Sequence, residues 1–195
     1  MTSQKKFFTT YNMALIAISA ALITICSWIS FNFGDVPFTL QTFAVFTILM
    51  TIGGKRGTVA IVLYLLMGLT GLPVFANFKG GAQALTGPTG GFLVGFIAMG
   101  LLYFVLADVL LVRFKKLTDK KPFLFAARIV ICVICSILLY AFGTVWFVNI
   151  YAGDSGKVGY ATALSWCVTP FLLPDFAKIV LATVLADRVA FTIKK

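Results

Sequence analysis

The chain is too apolar to fold as a soluble globular monomer. Hydrophobic residues make up 61% of the sequence and charged residues only 11%, and histidine is absent. A protein of this composition has too little polar surface to cover itself in water. Within a bilayer every backbone N–H and C=O must be satisfied internally, and the apolar segments lack the alternation of a membrane barrel, so strands are not expected. The sequence therefore predicts an all-α integral membrane protein.

The length of the chain limits the number of membrane spans. A spanning helix needs about 20 residues and a turn after it, so 195 residues accommodate about six spans in a single transmembrane domain covering 1–195. The second predicted helix is short for a full span, which indicates that it begins below the outer surface. The first apolar stretch is longer than the core of a signal peptide and is predicted to be a retained helix. The six helices are predicted at 9–33, 39–53, 56–71, 89–114, 122–150 and 174–192.

The cations divide the predicted links into two classes. Thirteen of the sixteen lie before the first helix, at the end of the chain, or in and around every second link; the other three are Lys79, Lys157 and Lys178. Because Lys and Arg concentrate on the cytoplasmic side of membrane proteins, both termini are predicted to be cytoplasmic. The same distribution accounts for the net charge of +10 without nucleic acid. The thirteen are Lys5, Lys6, Lys55, Arg56, Arg113, Lys115, Lys116, Lys120, Lys121, Arg128, Arg188, Lys194 and Lys195.

Polar, glycine-rich and aromatic residues collect in the predicted outer links. The segment 72–88 is rich in glycine and amide side chains, and the segment 151–173 is longer, with part of it predicted to be a short helix or to dip back into the protein. This asymmetry indicates a recognition site that faces outward.

Two motifs of small residues allow a close approach of other groups. The first helix carries Ala14, Ala17, Ala20 and Ala21, with an AxxxA from Ala17 to Ala21, and small side chains let helices pack closely in lipid. This stripe fits either packing inside the bundle or docking of another membrane protein. The motif "GPTGG" at 87–91 places Pro88 in a first helical turn and Gly91 just after it. Its glycines fit either a tight turn or a helix start whose backbone amides contact a ligand.

Three polar residues stand at the start of the second helix. Thr39 is predicted to cap that helix. Gln41 and Thr42 then enter an apolar segment, where their hydrogen-bonding groups need partners from the protein, from water or from a substrate.

The segment "LLPDFAK" brings two charges to the start of the last span. Pro174 suits the first helical position, and Asp175 complements the positive end of the helix dipole. Lys178 is not explained in this way, because the dipole disfavours a cation in the first turn. The simplest explanation of Lys178 is an ion pair with Asp175, because residues three apart share a helix face. A charged pair at membrane depth is costly and is by default a functional-site candidate.

Other chemistries receive little support from the sequence. Cys132 and Cys135 form a CxxC, but there is no histidine and no second ligand pair for zinc, so these residues, with Cys26 and Cys167, are predicted to pack helices and no metal is expected. A Walker A loop and an internal repeat are both absent from the sequence. No nucleophile and base are assembled in sequence, which argues against an enzyme.

Four segments in the order "VPFTLQTFAV", "GLTGLPVFANFKGG", "GPTGGFLVGF" and "LLPDFAK" together resemble the BioY family, the biotin-binding S components of energy-coupling-factor (ECF) transporters. The resemblance runs from about residue 10 to the end. It implies a six-helix S-component fold in the cell membrane that captures biotin from outside with high affinity. It also implies a transmembrane coupling subunit and two ABC ATPases as partners, with the alanines of the first helix as the docking face. ATP would be used by those partners, and no cofactor is expected in this chain.

Biotin has a ureido ring with one acceptor oxygen and two N–H donors, a sulfur-containing ring, and a valeryl tail that ends in a carboxylate. Asp175 and Lys178 are too close to hold opposite ends of so long a ligand, so both are predicted to address the ureido ring. The carboxylate tail would then point toward Lys79, Asn77 and Tyr151; the reverse orientation, with Lys178 on the tail, stays open. Phe38, Phe78, Phe92, Trp166 and Phe171 are candidates for the apolar wall. The predicted substrate-binding residues are Thr39, Gln41, Asn77, Phe78, Lys79, Gly91, Tyr151, Trp166, Asp175 and Lys178.

Two other functions remain open at this stage. One is an S component for another small vitamin, which competition binding would reveal. The other is an integral membrane enzyme acting on lipids, whose catalysis would have to rest on the few Asp and Lys residues.

Overall fold

The fold is built from helices packed side by side. A computed structural model describes residues 9–33, 36–111, 113, 121–153 and 156–193. The helices are α1 (Thr10–Trp28), α2 (Gln41–Ile52), α3 (Gly54–Leu69), α4 (Ala82–Thr86), α5 (Gly90–Tyr103), α6 (Lys121–Ile150), α7 (Tyr160–Cys167) and α8 (Leu172–Ile193). A π-helical stretch, Phe104–Leu111, continues α5, and 3₁₀ turns occupy Ala76–Phe78 and Thr169–Phe171.

Within the described residues, four helical stretches are long and apolar enough to cross a membrane. They are Thr10–Trp28, Gly90–Leu111, Pro122–Ile150 and Tyr160–Val189. The predicted second and third spans are shorter, with 12 residues in α2 and 16 in α3. At about 1.5 Å per residue, α2 is too short to cross the hydrocarbon core alone.

The short helix α2 nevertheless lies at the centre of the bundle. It packs against α1, α3 and α8, while α5 packs against α6 and α3. Every residue from Ala44 to Met50 is buried. A helix that is apolar on all sides is suited to such an interior position. Its position brings the residues at its N-terminal end against α8.

Two short β-hairpins correct the expectation that strands are absent. The first helix ends at Trp28 rather than near residue 33, and β1 (Ser30–Phe33) then pairs antiparallel with β2 (Val36–Thr39). A smaller hairpin joins β3 (Ala152–Gly153) to β4 (Gly156–Lys157). The argument from unsatisfied backbone groups applies to spans, whereas these hairpins lie in the connections and pair their backbones with each other.

Two prolines stand elsewhere than predicted. Pro88 precedes α5, which begins at Gly90, and Pro174 is the third residue of α8 rather than the first. The first turn of a helix leaves its N–H groups without intrahelical partners, so proline is tolerated at several positions there. A proline therefore marks the region of a helix start but not its first residue.

The end of the bundle away from the start of α2 carries most of the described charges. At that end the Asp108 carboxylate accepts a hydrogen bond from the Gly54 N–H at 2.7 Å and so caps α3. Arg128 of α6 forms an ion pair with Asp187 of α8. Lys55 and Arg56 also lie at this end, in the first turn of α3.

Candidate ligand-binding site

A cavity of about 770 Å³ lies at the end of the bundle where α2 and α8 begin. Its walls come from β2, α2, α6 and α8 and from the segment that runs from Phe75 to Leu93. Pockets that bind small molecules typically measure roughly 300–1,000 Å³, are mostly apolar and contain a few polar groups. The apolar part here includes Phe75, Phe92, Phe96, Leu139 and Phe171.

Asp175 and Lys178 both line this cavity and form an ion pair with each other. Lys178 Nζ lies 2.8 Å from Asp175 Oδ1. Residues three apart on α8 share a helix face, which brings the two side chains together. Their exposed fractions are only 5% and 6%. A buried pair of this kind requires further hydrogen bonds to offset the loss of solvation.

The ammonium group of Lys178 has a protein partner for each of its three N–H donors. It donates to the Thr39 carbonyl oxygen at 2.6 Å, to Thr42 Oγ1 at 3.2 Å and to Asp175 Oδ1 at 2.8 Å. The same nitrogen lies 3.9 Å from the centroid of the Phe38 ring, a favourable cation–π geometry. Lys178 therefore ties α8 to the junction between β2 and α2.

The carboxylate of Asp175 joins three helices. Its Oδ1 accepts from Lys178 and from the Thr42 hydroxyl, the latter at 3.2 Å. Its Oδ2 accepts from the Tyr140 hydroxyl of α6 at 2.6 Å. Thr42, Asp175 and Lys178 thus form a closed triangle of contacts, and Tyr140 lies on the other side of the carboxylate.

The polar residues at the start of α2 also have protein partners. Thr39 Oγ1 accepts from the Gln41 N–H at 3.2 Å, although the N-cap residue itself is Leu40. Gln41 Nε2 donates to the Tyr64 hydroxyl oxygen at 3.1 Å. The side chains that the sequence left without explanation thus order the wall of the cavity.

The segment that follows α3 supplies the opposite wall. Asn77 and Phe78 both have a φ of 57°, a left-handed conformation that is uncommon for residues other than glycine. Ser30 Oγ donates to Asn77 Oδ1 at 3.0 Å, and the Trp28 indole donates to the Pro73 carbonyl oxygen at 2.8 Å. The end of α1 and the start of β1 therefore hold this wall in place.

The cavity brings together six of the ten predicted substrate-binding residues. These are Thr39, Gln41, Asn77, Lys79, Asp175 and Lys178.

The other four, Phe78, Gly91, Tyr151 and Trp166, are not in the cavity lining. The Phe78 ring is exposed and lies 5.2 Å from the Trp28 ring. A side chain at Gly91 would collide with Trp146, so this glycine serves the close packing of α5 against α6. Tyr151 and Trp166 form an edge-to-face pair 6.1 Å apart. For all four of these residues, a role in ligand binding stays a prediction.

The predicted docking residues lie on an open surface. Ala14, Ala17 and Ala21 are exposed on α1, whereas Ile16 and Ala20 are buried. Ala20 is therefore used for packing inside the bundle, whereas the other three alanines are not. Docking of a partner there stays a prediction.

Sequence reasoning missed Tyr140 and undervalued Thr42 and Cys167, all of which line the cavity. The signal for Tyr140 was present, because a tyrosine inside an apolar span needs a partner for its hydroxyl group. Cys132 and Cys135 are buried in the core as free thiols. In the described part of the chain, no group of three His, Cys, Asp or Glu residues could hold a metal ion.

The comparisons with known proteins agree with the four sequence motifs. The family model described as "BioY family" matches residues 1–195. The chain belongs to the BioY family. Among relatives in this family, a protein of Thermotoga maritima named "Biotin transporter BioY" is 42% identical over 171 residues, which are 88% of this chain and 90% of the relative. "Biotin transporter BioY2" of Lactococcus lactis is 32% identical over 174 residues, 89% of this chain and 87% of the relative.

A solved structure has the same fold. It is described as the S-component for biotin from an ECF-type ABC transporter and superimposes with a TM-score of 0.77 at 24% identity, covering 97% of this chain and 94% of that chain. The all-helical architecture is therefore that of an ECF S component. Together with the apolar helices, the relatives identify an integral membrane protein.

A mutant cycle tests how the ion pair is stabilised. Lys178→Met leaves Asp175 as a buried carboxylate without its cation, and we expect the free energy of unfolding to fall by about 3–5 kcal/mol. The double variant Lys178→Met/Asp175→Asn removes both charges and should be less destabilised than Lys178→Met alone. Thermal unfolding of detergent-solubilised protein without ligand measures both effects.

Lys79→Met is the matched control for this cycle, because Lys79 lines the same cavity but is exposed. It should change the unfolding temperature little. A double variant that is less stable than Lys178→Met would contradict the account of the pair.

Proposed function

We propose that this protein captures biotin with high affinity from the outside of the cell membrane and acts in biotin uptake as the substrate-binding subunit of an ECF-type ABC transporter. The observation that carries the proposal is the buried Asp175–Lys178 pair facing a cavity of about 770 Å³. Membership of a family whose relatives are named biotin transporters supports the choice of ligand.

The head group of biotin matches the chemistry of the pair. Its ureido ring has two N–H donors and one carbonyl acceptor, and it carries no charge. An ion pair whose charges cancel can bind such a ring through hydrogen bonds that are strengthened by charge. In the described residues Asp175 Oδ2 accepts a single hydrogen bond, so it can accept a second one from a ureido N–H.

Lys178 reaches the ureido oxygen only by exchanging one of its present partners. Its contact with Thr42 Oγ1, at 3.2 Å, is the longest of its three hydrogen bonds. The ligand carbonyl would replace this hydroxyl, while the short contacts with Thr39 and Asp175 are kept. The ammonium group then loses no hydrogen bond when the ligand enters.

The rest of the ligand fits the remaining walls. The sulfur-containing ring and the valeryl chain would pack on Phe92, Phe96 and Phe171, where burial of apolar surface favours binding. The carboxylate tail would reach the opposite wall, where Asn77 and Lys79 line the cavity. Lys79 is exposed and offers a cation to the tail.

We place the cavity on the extracellular side, with six spans and both termini in the cytoplasm. The four long apolar stretches would be completed by α2 and α3 as shorter spans. The opposite end of the bundle carries Lys55, Arg56 and Arg128, in line with the excess of cations on the cytoplasmic side of membrane proteins. The cytoplasmic membrane is the expected location.

The partners we propose are a transmembrane coupling subunit and two ABC ATPases. Ala14, Ala17 and Ala21 give α1 an exposed face of small side chains, on which another helix can pack closely in lipid. ATP hydrolysis is assigned to the ATPases, and we expect this chain to have neither catalytic activity nor a cofactor of its own.

Calorimetric titration of the detergent-purified protein with biotin tests the proposal. We expect saturable one-to-one binding, and Asp175→Asn should weaken it by about 10- to 150-fold, the effect of losing a charge-assisted hydrogen bond. Asp187→Asn, at the opposite end of α8, is the control and should bind as tightly as the wild type. An absence of both heat and co-purified biotin, or preferential binding of another vitamin in competition, would overturn the assignment.

Biotin methyl ester tests the orientation of the ligand. If the tail carboxylate lies at Lys79, the ester should bind the wild type more weakly than biotin, and this penalty should shrink in Lys79→Gln and persist in Lys178→Ala. Titration of each protein with both ligands measures it. A penalty that persists in Lys79→Gln and vanishes in Lys178→Ala would establish the reverse orientation.

A further inference from the structure

We propose that Tyr140 is a specificity-determining residue whose hydroxyl oxygen, together with Asp175 Oδ2, forms a pair of acceptors that selects an N–H donor on the ligand. The inference rests on the proposed function, because it assigns this acceptor pair to the ureido edge of biotin. It adds a polar contact from α6 to a hydrogen-bonded cluster whose other members come from β2, α2 and α8.

The direction of the hydrogen bond between Tyr140 and Asp175 determines whether the Tyr140 hydroxyl group offers a ligand a donor or an acceptor. Tyr140 lines the cavity, and its hydroxyl group lies 2.6 Å from Asp175 Oδ2. An ionised carboxylate can only accept, so the single proton of the hydroxyl group points at Asp175. What Tyr140 presents to a ligand is therefore only the lone pairs of its oxygen.

The other polar atoms around the Asp175–Lys178 pair already have hydrogen-bond partners in the protein. Lys178 directs its three N–H groups to Thr39, Thr42 and Asp175, and Asp175 Oδ1 accepts from Lys178 and Thr42. In the part of the chain that the structure describes, Oδ2 has the Tyr140 hydroxyl as its hydrogen-bond donor. Two neighbouring oxygens, Asp175 Oδ2 and the Tyr140 hydroxyl oxygen, can thus each accept a further hydrogen bond.

Two neighbouring acceptors favour a ligand that places a hydrogen-bond donor beside them and disfavour a ligand that places an acceptor there. A ureido N–H placed there gains a hydrogen bond, and donation to the carboxylate polarises the tyrosine and makes its oxygen a better acceptor. A ring oxygen at the same position would set lone pairs against lone pairs. A site built to bond an N–H rejects the analogue that lacks it, because its buried polar atoms are then left unpaired.

The experiment uses biotin and two cyclic carbamate analogues, each with one ureido N–H replaced by a ring oxygen. Their dissociation constants are measured by competition on the full-length wild type and on Tyr140→Phe. Tyr140→Phe should weaken biotin binding by about 3- to 10-fold, the effect of one neutral hydrogen bond. For at least one analogue, the ratio of its dissociation constant to that of biotin should fall by about the same factor in the variant.

Tyr103→Phe is the matched control, because Tyr103 is buried on α5 and is not part of the cavity lining. It should leave every ratio unchanged. A purely structural role of Tyr140 would weaken all three ligands alike, so unchanged ratios for both analogues in Tyr140→Phe would overturn the proposal. A wild type that fails to bind biotin would instead refute the proposed function.

A measurement on the wild type alone covers the case in which Tyr140→Phe does not fold. Lactam analogues, in which one ureido N–H becomes CH₂, lose the donor without adding an acceptor. If the acceptor pair exists, one carbamate should bind more weakly than the matching lactam. Carbamates that bind as well as the lactams at both positions would contradict it.

Discussion

The ion pair between Asp175 and Lys178 determines how the start of α8 is assembled. Two opposite charges, each about nineteen-twentieths buried, are stable only when their remaining hydrogen-bonding capacity is satisfied. Thr42 from α2, Tyr140 from α6 and the Thr39 carbonyl from β2 supply those bonds. These contacts also space the helices, and the gap that remains beside the pair is the cavity. The same few side chains thus stabilise the start of α8 and line the cavity in which we propose that the ligand binds.

Much of this arrangement could be predicted from the sequence because charges are so rare in it. A carboxylate and an ammonium three residues apart at the start of an apolar helix must face each other or a polar partner, and both side chains line the cavity. The apolar segments likewise located α2, α3, α5 with its π-helical continuation, and α6 to within a few residues, and the predicted end of the fourth helix at 114 lies outside the described residues. That helix continues as a π-helical stretch, which places the Asp108 carboxylate on the Gly54 N–H.

The contributions that could not be predicted come from tertiary contacts. Tyr140 is separated by 35 residues from the carboxylate that it contacts, so its place inside an apolar span indicates that the hydroxyl group needs a partner but not which residue that partner is. Gly91 looked like an opening for a ligand, but the space above it is filled by Trp146. The hairpin of β1 and β2 could not be predicted because Ser30–Phe33 is only four residues long and follows directly on the apolar α1. Hydropathy predicts which segments are buried, but it does not predict which part of the backbone each residue contacts.

We propose that the neutral, hydrogen-bonded charge pair binds the ureido ring without separating. An experimental structure of the protein with biotin bound tests it most directly. We expect a ureido nitrogen within hydrogen-bonding distance of Asp175 Oδ2, with Lys178 Nζ still paired with Asp175 and the tail carboxylate near Lys79. A bicyclic ring located away from α8, or a pair whose contacts with Thr42 and Tyr140 are unchanged while the ring lies elsewhere, would contradict it.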